Sequence, residues 1–491
     1  MRTRITARFV VGYDGTDHLV YENGEVVYED DQVIHVGHGY DGPLDADRDE
    51  GLALVGPGFV DLNALGDIDH AIFDTYQDAE LAKGLRWSAD YLARRHDVFT
   101  SDEEAFKRRY AFGQLLLNGI TTALPIASEI YKGWAETYDE MASAAESAAE
   151  VGLRVYLGPS FRSAVPIIDT DGRGRLHHDP ALGERGLDEA IRFARDVDGH
   201  RAGLVRGMLA PSRIETMDLA ALRRAREASD DLGCPIRLHA GQTLDEVDVL
   251  QHEHGLRPIE LLESIGFLGP RTLIPHAWAV SGHSQMPAAA HLSSDLDVLR
   301  DSGTTVIFCP MAVARYAVVL ESFDRYLSHG IRLGMGTDTA PPDMIRAMDT
   351  GMVLTKAIER SKSAGSCRDL YRAATVGGAD ALGRPDLGRL APGTQADITV
   401  VDLTGTRVGP VDDPIRTLVL NCNGRDVKTV VVAGRTVVED GALPGVDPER
   451  DRARAQHYLD RYRASYTDRD YLSRREHDLF PPTFRTVAVP R

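Results

Sequence analysis

Residues 331–338 read IRLGMGTD, a short and mostly apolar run that ends in a threonine and an aspartate. A run of this length without polar alternation is typical of a strand buried on both faces of a parallel sheet. A polar residue directly after such a strand lies at its carboxyl end, where α/β folds place their functional side chains. The segment therefore predicts a buried parallel strand with Asp338 at the functional edge of the sheet.

Seven further apolar runs precede this segment, and amphipathic helical stretches separate them. The runs are residues 54–62, 120–126, 153–158, 204–210, 235–240, 272–277 and 305–309. With residues 331–336 they give eight strand–helix units, the pattern of a (β/α)8 barrel. A doubly wound parallel sheet is the weaker alternative.

The two ends of the chain have a different pattern, in which short runs of alternating apolar and polar residues are separated by turns. Such runs fill the first fifty or so residues and return at 396–402 and 427–435. We therefore predict one small β-sandwich built from both termini, so that Val33 and Val431 pack together. The predicted domains are residues 1–56 with 387–446 as the sandwich, 57–386 as the barrel and 447–491 as a helical tail on the surface.

The composition excludes several classes of protein. Hydrophobic residues make up 43% of the 491 residues and charged residues 26%, which is ordinary globular usage. The net charge of -20 argues against nucleic acid or an anionic membrane as a partner. No apolar stretch is long enough to span a membrane, and the first residues lack the apolar core of a signal peptide. These features predict a cytoplasmic protein that acts on a small molecule, and they leave a homo-oligomer open.

Polar residues at the predicted strand ends are the candidates for chemistry. His239 follows the fifth run, His276 the sixth, Cys309 the seventh and Asp338 the eighth. Two imidazoles and a carboxylate that converge at a barrel mouth are suited to bind one divalent metal, zinc or iron, that activates water. A single histidine is more often a structural residue, but three such residues at functional strand ends favour a site.

Several motifs resemble the amidohydrolase superfamily and, within it, the branch of cytosine deaminase and triazine chlorohydrolase. The matching segments are VGPGFVDL at 55–62, LNGITT at 117–122, RLHA at 237–240, FCP at 308–310, GMGTD at 334–338, GRLAPGTQADI at 388–398 and VAGR at 432–435. The resemblance covers nearly the whole chain and implies a barrel with a terminal sandwich. It also implies that His239 is a metal ligand, that His276 orients water or substrate, and that Asp338 is a ligand and general base.

Two motifs depart from that resemblance. Members of the branch usually carry His-x-His after the first strand as two metal ligands, whereas this chain reads Asn63-Ala64-Leu65. The fifth-strand motif is usually His-x-x-Glu, with the glutamate as proton shuttle, but Gln242 stands in its place and cannot titrate. These changes predict a degenerate site that retains metal weakly. The segment Asp67-Ile68-Asp69-His70 offers replacement ligands, although ordinary loop hydrogen bonds are its simpler interpretation.

Other residues are expected to line the substrate pocket. Trp278 and Met311 would wall a flat substrate or pack in the core, and Arg162 and Arg315 would anchor an electron-rich group or form surface ion pairs. Cys309 is predicted not to act as a nucleophile. The full set of predicted substrate-binding residues is Asn63, His70, Arg162, Gln242, Trp278, Met311 and Arg315.

The leading functional prediction is a hydrolase that acts on carbon–nitrogen bonds other than peptide bonds. It would deaminate a small polar or N-heterocyclic compound, or hydrolyse its amide or ring bond, with Asp338, His276 and His239 as catalytic residues and, where metal is bound, as its ligands. One alternative is a metal-independent lyase, isomerase or hydrolase that uses the same residues for acid–base chemistry. Another is a catalytically inactive barrel that serves as a binding subunit.

Overall fold

The computed structural model describes residues 1–68, 79–127, 133–134, 136–286, 295–485 and 487. Its strands are β1 (Arg2–Tyr13), β2 (His18–Glu29), β3 (Gln32–Gly37), β4 (Ala46–Asp49), β5 (Ala53–Pro57), β6 (Phe59–Leu65), β7 (Trp87–Ser88), β8 (Ile120–Ile126), β9 (Arg154–Leu157), β10 (Ser160–Phe161), β11 (Ala164–Ile168), β12 (Gly174–His178), β13 (Val205–Gly207), β14 (Ala210–Pro211), β15 (Ile236–Arg237), β16 (Thr272–Pro275), β17 (Thr305–Phe308), β18 (Arg332–Met335), β19 (Ile398–Asp402), β20 (Val427–Val432) and β21 (Arg435–Val438).

The helices of the described ranges alternate with the strands through the middle of the chain. They are α1 (Ala79–Lys83), α2 (Ala89–Arg94), α3 (Ser101–Leu117), α4 (Tyr138–Val151), α5 (Pro180–Val197), α6 (His200–Gly203), α7 (Leu219–Leu232), α8 (Leu244–His254), α9 (Pro258–Ser264), α10 (Asp295–Ser302), α11 (Pro310–Arg315), α12 (Phe323–Ser328), α13 (Met344–Glu359), α14 (Cys367–Arg372), α15 (Gly378–Ala381), α16 (Pro414–Asn421), α17 (Pro448–Arg469) and α18 (Glu476–Leu479). Within these ranges, no helix is both long enough and apolar enough to cross a bilayer.

Parallel strands form a barrel in the middle of the chain. One group of four has the order β13-β9-β8-β6 and the other the order β15-β16-β17-β18. Leu209 pairs with Ile236 at one seam between the groups, and the backbone N–H of Asp338 donates to the carbonyl of Asn63 over 3.0 Å at the other. The predicted (β/α)8 barrel is therefore confirmed.

The first predicted strand is in fact two strands. Residues 54–62 were expected to be continuous, but β5 pairs with β1 and β19 in a terminal sheet while β6 pairs with β8 in the barrel. The change occurs at Gly58, where an added Cβ would lie 2.1 Å from Thr121 Oγ1. The chain passes Thr121 too closely for a side chain, so only glycine fits at the point where it leaves one sheet for the other.

Strands from both termini hydrogen-bond as one sheet of order β21-β20-β19-β5-β1-β2-β3, with β4 beside β1. Val33 and Val431 lie in the same buried apolar cluster, as predicted. The terminal strands thus form the second β-rich unit beside the barrel, although they pair as one continuous sheet. The division of the chain at residues 56, 386 and 446 stays a prediction.

The C-terminal helix α17 is more buried than the sequence suggested. Tyr462 and Tyr466, four residues apart on one face, are both fully buried, and they pack in a cluster with Phe99 and Phe106. The guanidinium of Arg469 lies 4.6 Å from the centre of the Tyr466 ring, a cation–π distance. Its tyrosines form an apolar stripe that packs beside α3, so one face of the predicted surface helix is buried while much of its other face is exposed.

Candidate active site

Three of the predicted strand-end residues meet at the carboxyl end of the barrel. One ligand atom each from His276, Cys309 and Asp338 lies within 4.8 Å of the other two. His276 Nε2 is 3.5 Å from Asp338 Oδ2, and the His276 side chain is fully buried while that of Asp338 is 15% exposed. Because β16, β17 and β18 are neighbouring parallel strands, the residues that follow them converge at one edge.

The backbone is left-handed at two of these residues. The φ angle is +69° at His276 and +46° at Asp338, a region that costs a non-glycine residue roughly 1 to 2 kcal/mol. The hydrogen bond from the His276 N–H to the carbonyl of Ile307, 3.0 Å long, holds the first of these turns. Such conformations persist where the surroundings enforce them, and they cluster at functional sites.

Asp61 holds the segment before Asp338 in place. Its carboxylate is fully buried and accepts the side-chain hydroxyl and the backbone N–H of Thr337 as well as the N–H of Asn63. Burial raises the pKa of Asp61 to about 6, although these hydrogen bonds act in the opposite direction. The carboxylate therefore links the first barrel strand to the loop that carries Asp338.

The surroundings of both histidines of the site favour the neutral imidazole. Burial lowers the pKa of His239 well below its usual value, and the positive charges of Arg237 and Arg213 add to this. Burial likewise lowers the pKa of His276. The two rings lie 5.6 Å apart, and His239 Nδ1 is 3.2 Å from the carbonyl oxygen of Ser212, which orients that ring. Neutral imidazole is the form that binds a metal or acts as a general base.

Gln242 is held by a charged network that the sequence analysis missed. Arg213 Nη1 donates to Gln242 Oε1 over 2.7 Å, and Arg213 Nε donates to Glu215 over 2.6 Å. The indole N–H of Trp278 donates to the backbone carbonyl of Gln242 over 2.6 Å. Trp278 is thus a buried structural partner of this loop, and Arg213 brings a guanidinium to the side chain that replaces the usual glutamate.

Glu246 anchors the same loop from the first turn of α8. Its two carboxylate oxygens accept the backbone N–H groups of Gly241 and Gln242. Burial, with the charge of Glu215 nearby, raises the pKa of Glu246. Arg213 could have been found from the sequence, since it follows the fourth predicted strand, but Glu246 reaches the loop from a helix and carries no strand-end signal.

The structure locates Cys309 and Asn63 beside each other in the interior. Cys309 is 1% exposed, and burial, followed by the charges of Asp338 and Asp61, raises the pKa of its thiol well above the usual value. A thiol in this environment is not a ready nucleophile. The predicted absence of a nucleophilic role for Cys309 stays a prediction. Asn63 Nδ2 lies 3.9 Å from Cys309 Sγ, so it faces the thiol from the position of a family imidazole.

The remaining predicted pocket residues have mixed positions. Met311 is buried in the first turn of α11, and Arg315 is exposed in its last turn. Arg162 follows β10, where its backbone N–H donates to the carbonyl of Trp134 over 3.1 Å. The substrate-binding roles of these three residues stay predictions.

The segment proposed as a source of replacement ligands is only partly described. Asp69 and His70 lie outside the described residues. Asp67 Oδ2 is 3.1 Å from the ammonium group of Lys107, and both side chains are fully buried. The prediction that Asp67 serves as a ligand is therefore not supported by its position, because its carboxylate neutralises a buried lysine.

The fold and the site together define the chain as a barrel enzyme. Its cluster of His276, Cys309 and Asp338 lies at the carboxyl ends of the strands. The sequence model of the amidohydrolase family matches residues 78–437. The chain belongs to the amidohydrolase family.

Proteins similar to this chain in sequence include deaminases. The chain is 25% identical over 433 residues to a 5-methylthioadenosine/S-adenosylhomocysteine deaminase of Pyrococcus abyssi, a match that covers 87% of this chain and 92% of the relative. It is 28% identical over 319 residues to a 5'-deoxyadenosine deaminase of Methanopyrus kandleri, which covers 64% and 68% of the two chains.

Solved structures share the fold. A zinc-bound adenosine deaminase of Xanthomonas campestris has a TM-score of 0.73 at 20% identity over 94% of this chain and 98% of its own. A mutant of atrazine chlorohydrolase from Arthrobacter aurescens, in complex with zinc and atraton, has a TM-score of 0.77 at 21% identity over 93% and 100%. The comparisons confirm the predicted resemblance and the predicted class, a hydrolase of carbon–nitrogen bonds.

Proposed function

We propose that this chain hydrolyses the exocyclic carbon–nitrogen bond of an adenosine-like N-heterocycle and releases ammonia. The pair formed by buried His276 and partly exposed Asp338, 3.5 Å apart at the barrel mouth, is the observation that carries the proposal. The deaminases similar to this chain along most of its length support the substrate class. Water cleaves the bond: the ring carbon gains the oxygen of the water, and the amino nitrogen leaves as ammonia with one proton of the water while the other proton stays on the product.

Asp338 is the proton-transfer group in this proposal. Its carboxylate is partly open to the mouth, where it takes a proton from the attacking water and returns it to the leaving nitrogen. In the family a glutamate at the position of Gln242 shuttles protons. Gln242 carries no titratable proton, so it cannot deliver the proton to the leaving nitrogen, and that transfer is assigned to Asp338. Neutral His276 lies beside the carboxylate and orients the water.

Gln242 and Arg213 are proposed to bind the ring. The hydrogen bond from Arg213 occupies the carbonyl oxygen of the Gln242 amide, so the amide presents its N–H groups as donors. Ring nitrogens of an N-heterocycle are acceptors that such donors match. An amide in this position binds substrate through hydrogen bonds and leaves the proton transfers to Asp338.

The residues of this site suit a divalent metal, although they differ from the ligand set that the family resemblance implies. Asn63 and Leu65 remove the family's first-strand imidazoles, but His276 and Asp338 remain, and Cys309 lies in the same group. Nitrogen, sulfur and oxygen donors from three residues are a set that catalytic zinc accepts. When bound by these residues, such an ion supplies Lewis-acid activation of water.

Assays of the full-length protein with zinc present test the proposal. The panel is 5-methylthioadenosine, S-adenosylhomocysteine, 5'-deoxyadenosine, adenosine and atraton, with ammonia or amine release as the readout. We expect at least one adenosine derivative to be deaminated at about 1 s⁻¹ or faster, the lower end of ordinary enzyme turnover. Absence of ammonia from every adenosine derivative would contradict the proposed substrate class.

A further inference from the structure

Within the part of the chain that the structure describes, His276 lacks the hydrogen bonds that a buried imidazole normally makes. Its side chain is fully buried, yet neither Nδ1 nor Nε2 has a hydrogen-bond partner among the described residues. Asp338 Oδ2 lies 3.5 Å from Nε2, which is beyond a hydrogen bond with good geometry. Because buried polar groups are nearly always satisfied, a nitrogen aimed into a cluster of ligand atoms indicates a missing binding partner.

Cys309 is the third member of that cluster. It is the residue between β17 and α11, so it lies at the same end of the barrel as His276 and Asp338. Its sulfur lies with the ligand atoms of those two residues in a group no wider than 4.8 Å. A cation that contacts all three atoms needs only small side-chain rotations, since zinc bonds are about 2.0 to 2.3 Å long.

The changed first strand places an amide beside this cysteine. Asn63 lies where the family resemblance expects an imidazole, and its amide points its nitrogen at Cys309 Sγ. Gly336 packs against the same two residues, because an added Cβ would lie 2.8 Å from Asn63 Cβ and 2.9 Å from Cys309 Sγ. The amide thus suits a sulfur that carries negative charge, and the glycine lets the three strands approach closely.

We infer that this chain binds one zinc ion through a nitrogen of His276, the Cys309 thiolate and a carboxylate oxygen of Asp338. The thiolate takes over from the lost first-strand imidazoles, and its proton passes to solvent when the ion binds. Together with the carboxylate it balances the two positive charges of the ion. The inference rests on the proposed function for the use of the metal, while the binding itself is measurable without any substrate.

The sulfur ligand sets the expected metal preference. Thiolates favour zinc and cobalt over magnesium and manganese, which prefer oxygen donors. A site with three protein ligands also leaves a position for water, as catalytic zinc sites do.

Cobalt serves as the spectroscopic probe of this site. Metal is removed from the full-length protein with a chelator, and Co²⁺ is then titrated in. We expect about one equivalent to bind, with a thiolate-to-cobalt charge-transfer band in the near ultraviolet that zinc abolishes by displacement. Cys309→Ser should remove the band and weaken cobalt binding by more than about 100-fold, because even groups that only support a ligand contribute about 10- to 100-fold.

Cys234→Ser is the matched control, since Cys234 is also buried but precedes β15 at the opposite end of a barrel strand. This variant should keep both the band and the affinity. Cobalt binding to wild-type protein without a sulfur band, or no stoichiometric binding at all, would overturn the inference even if Cys309→Ser fails to fold. Ammonia release without a sulfur-to-cobalt band would support the proposed function and reject this metal site. The band without ammonia release would support the metal site and reject the proposed function.

Discussion

Asp338→Asn is expected to reduce turnover by at least about 100-fold, the lower end of what a general acid–base group contributes. Asparagine keeps the shape of the side chain but cannot take a proton from water. The fold should survive, because asparagine tolerates the left-handed backbone found at this residue and the N–H bond to Asn63 does not involve the side chain. Steady-state turnover and melting temperature measured on the same variant check this.

The matched control for Asp338→Asn is Asp301→Asn, at an aspartate whose side chain is 69% exposed at the end of α10. It should retain wild-type turnover. If Asp338 were only a structural cap for the following loop, its variant would lose about 1 kcal/mol of stability and keep its activity. Wild-type turnover with a lowered melting temperature would therefore remove Asp338 from the mechanism.

Arg154→Met is expected to lower the free energy of unfolding by about 3 to 5 kcal/mol, the cost of breaking a buried ion pair. Arg154 on β9 of the barrel donates to both carboxylate oxygens of Asp397, at 3.2 and 3.0 Å, beside β19 of the terminal sheet. The two side chains are only 2% and 3% exposed. Methionine would leave the Asp397 charge buried between barrel and sheet without its guanidinium. Urea unfolding at neutral pH measures the effect.

Arg175→Met is the control for the same experiment, because Arg175 pairs with Asp169 where the side chains are 48% and 33% exposed. It should change the free energy of unfolding by no more than about 1 kcal/mol. Equal effects of the two substitutions would show that the Arg154 pair does not join the two parts of the fold.

The barrel could be predicted from the sequence because its strands are buried on both faces and appear as short apolar runs. Burial on both faces also conceals the boundary between β5 and β6. Residues 54–62 are all buried and are apolar apart from Asp61, so the run extends across Gly56-Pro57-Gly58, the turn-forming residues at the step from β5 to β6. That step depends on the close approach of Thr121, a contact between segments far apart in the chain.

The site was predictable where it depends on strand ends. His276 and Asp338 lie together because their strands run parallel and end at one edge. Cys309 follows the same rule, but its proximity to the other two depends on the packing of Asn63 and Gly336, which a sequence does not show. Arg213 follows the fourth predicted strand and was open to the same argument, whereas Glu246 reaches its loop from a helix.

Reaction in ¹⁸O-labelled water tests the central claim most directly. The claim is that the site formed by His276 and Asp338 hydrolyses a carbon–nitrogen bond with water. Mass spectrometry of the product from the best adenosine derivative should show one heavy oxygen for each ammonia released. A product that forms without the label would mean that the protein uses its acid–base residues as a lyase or isomerase and would contradict the account.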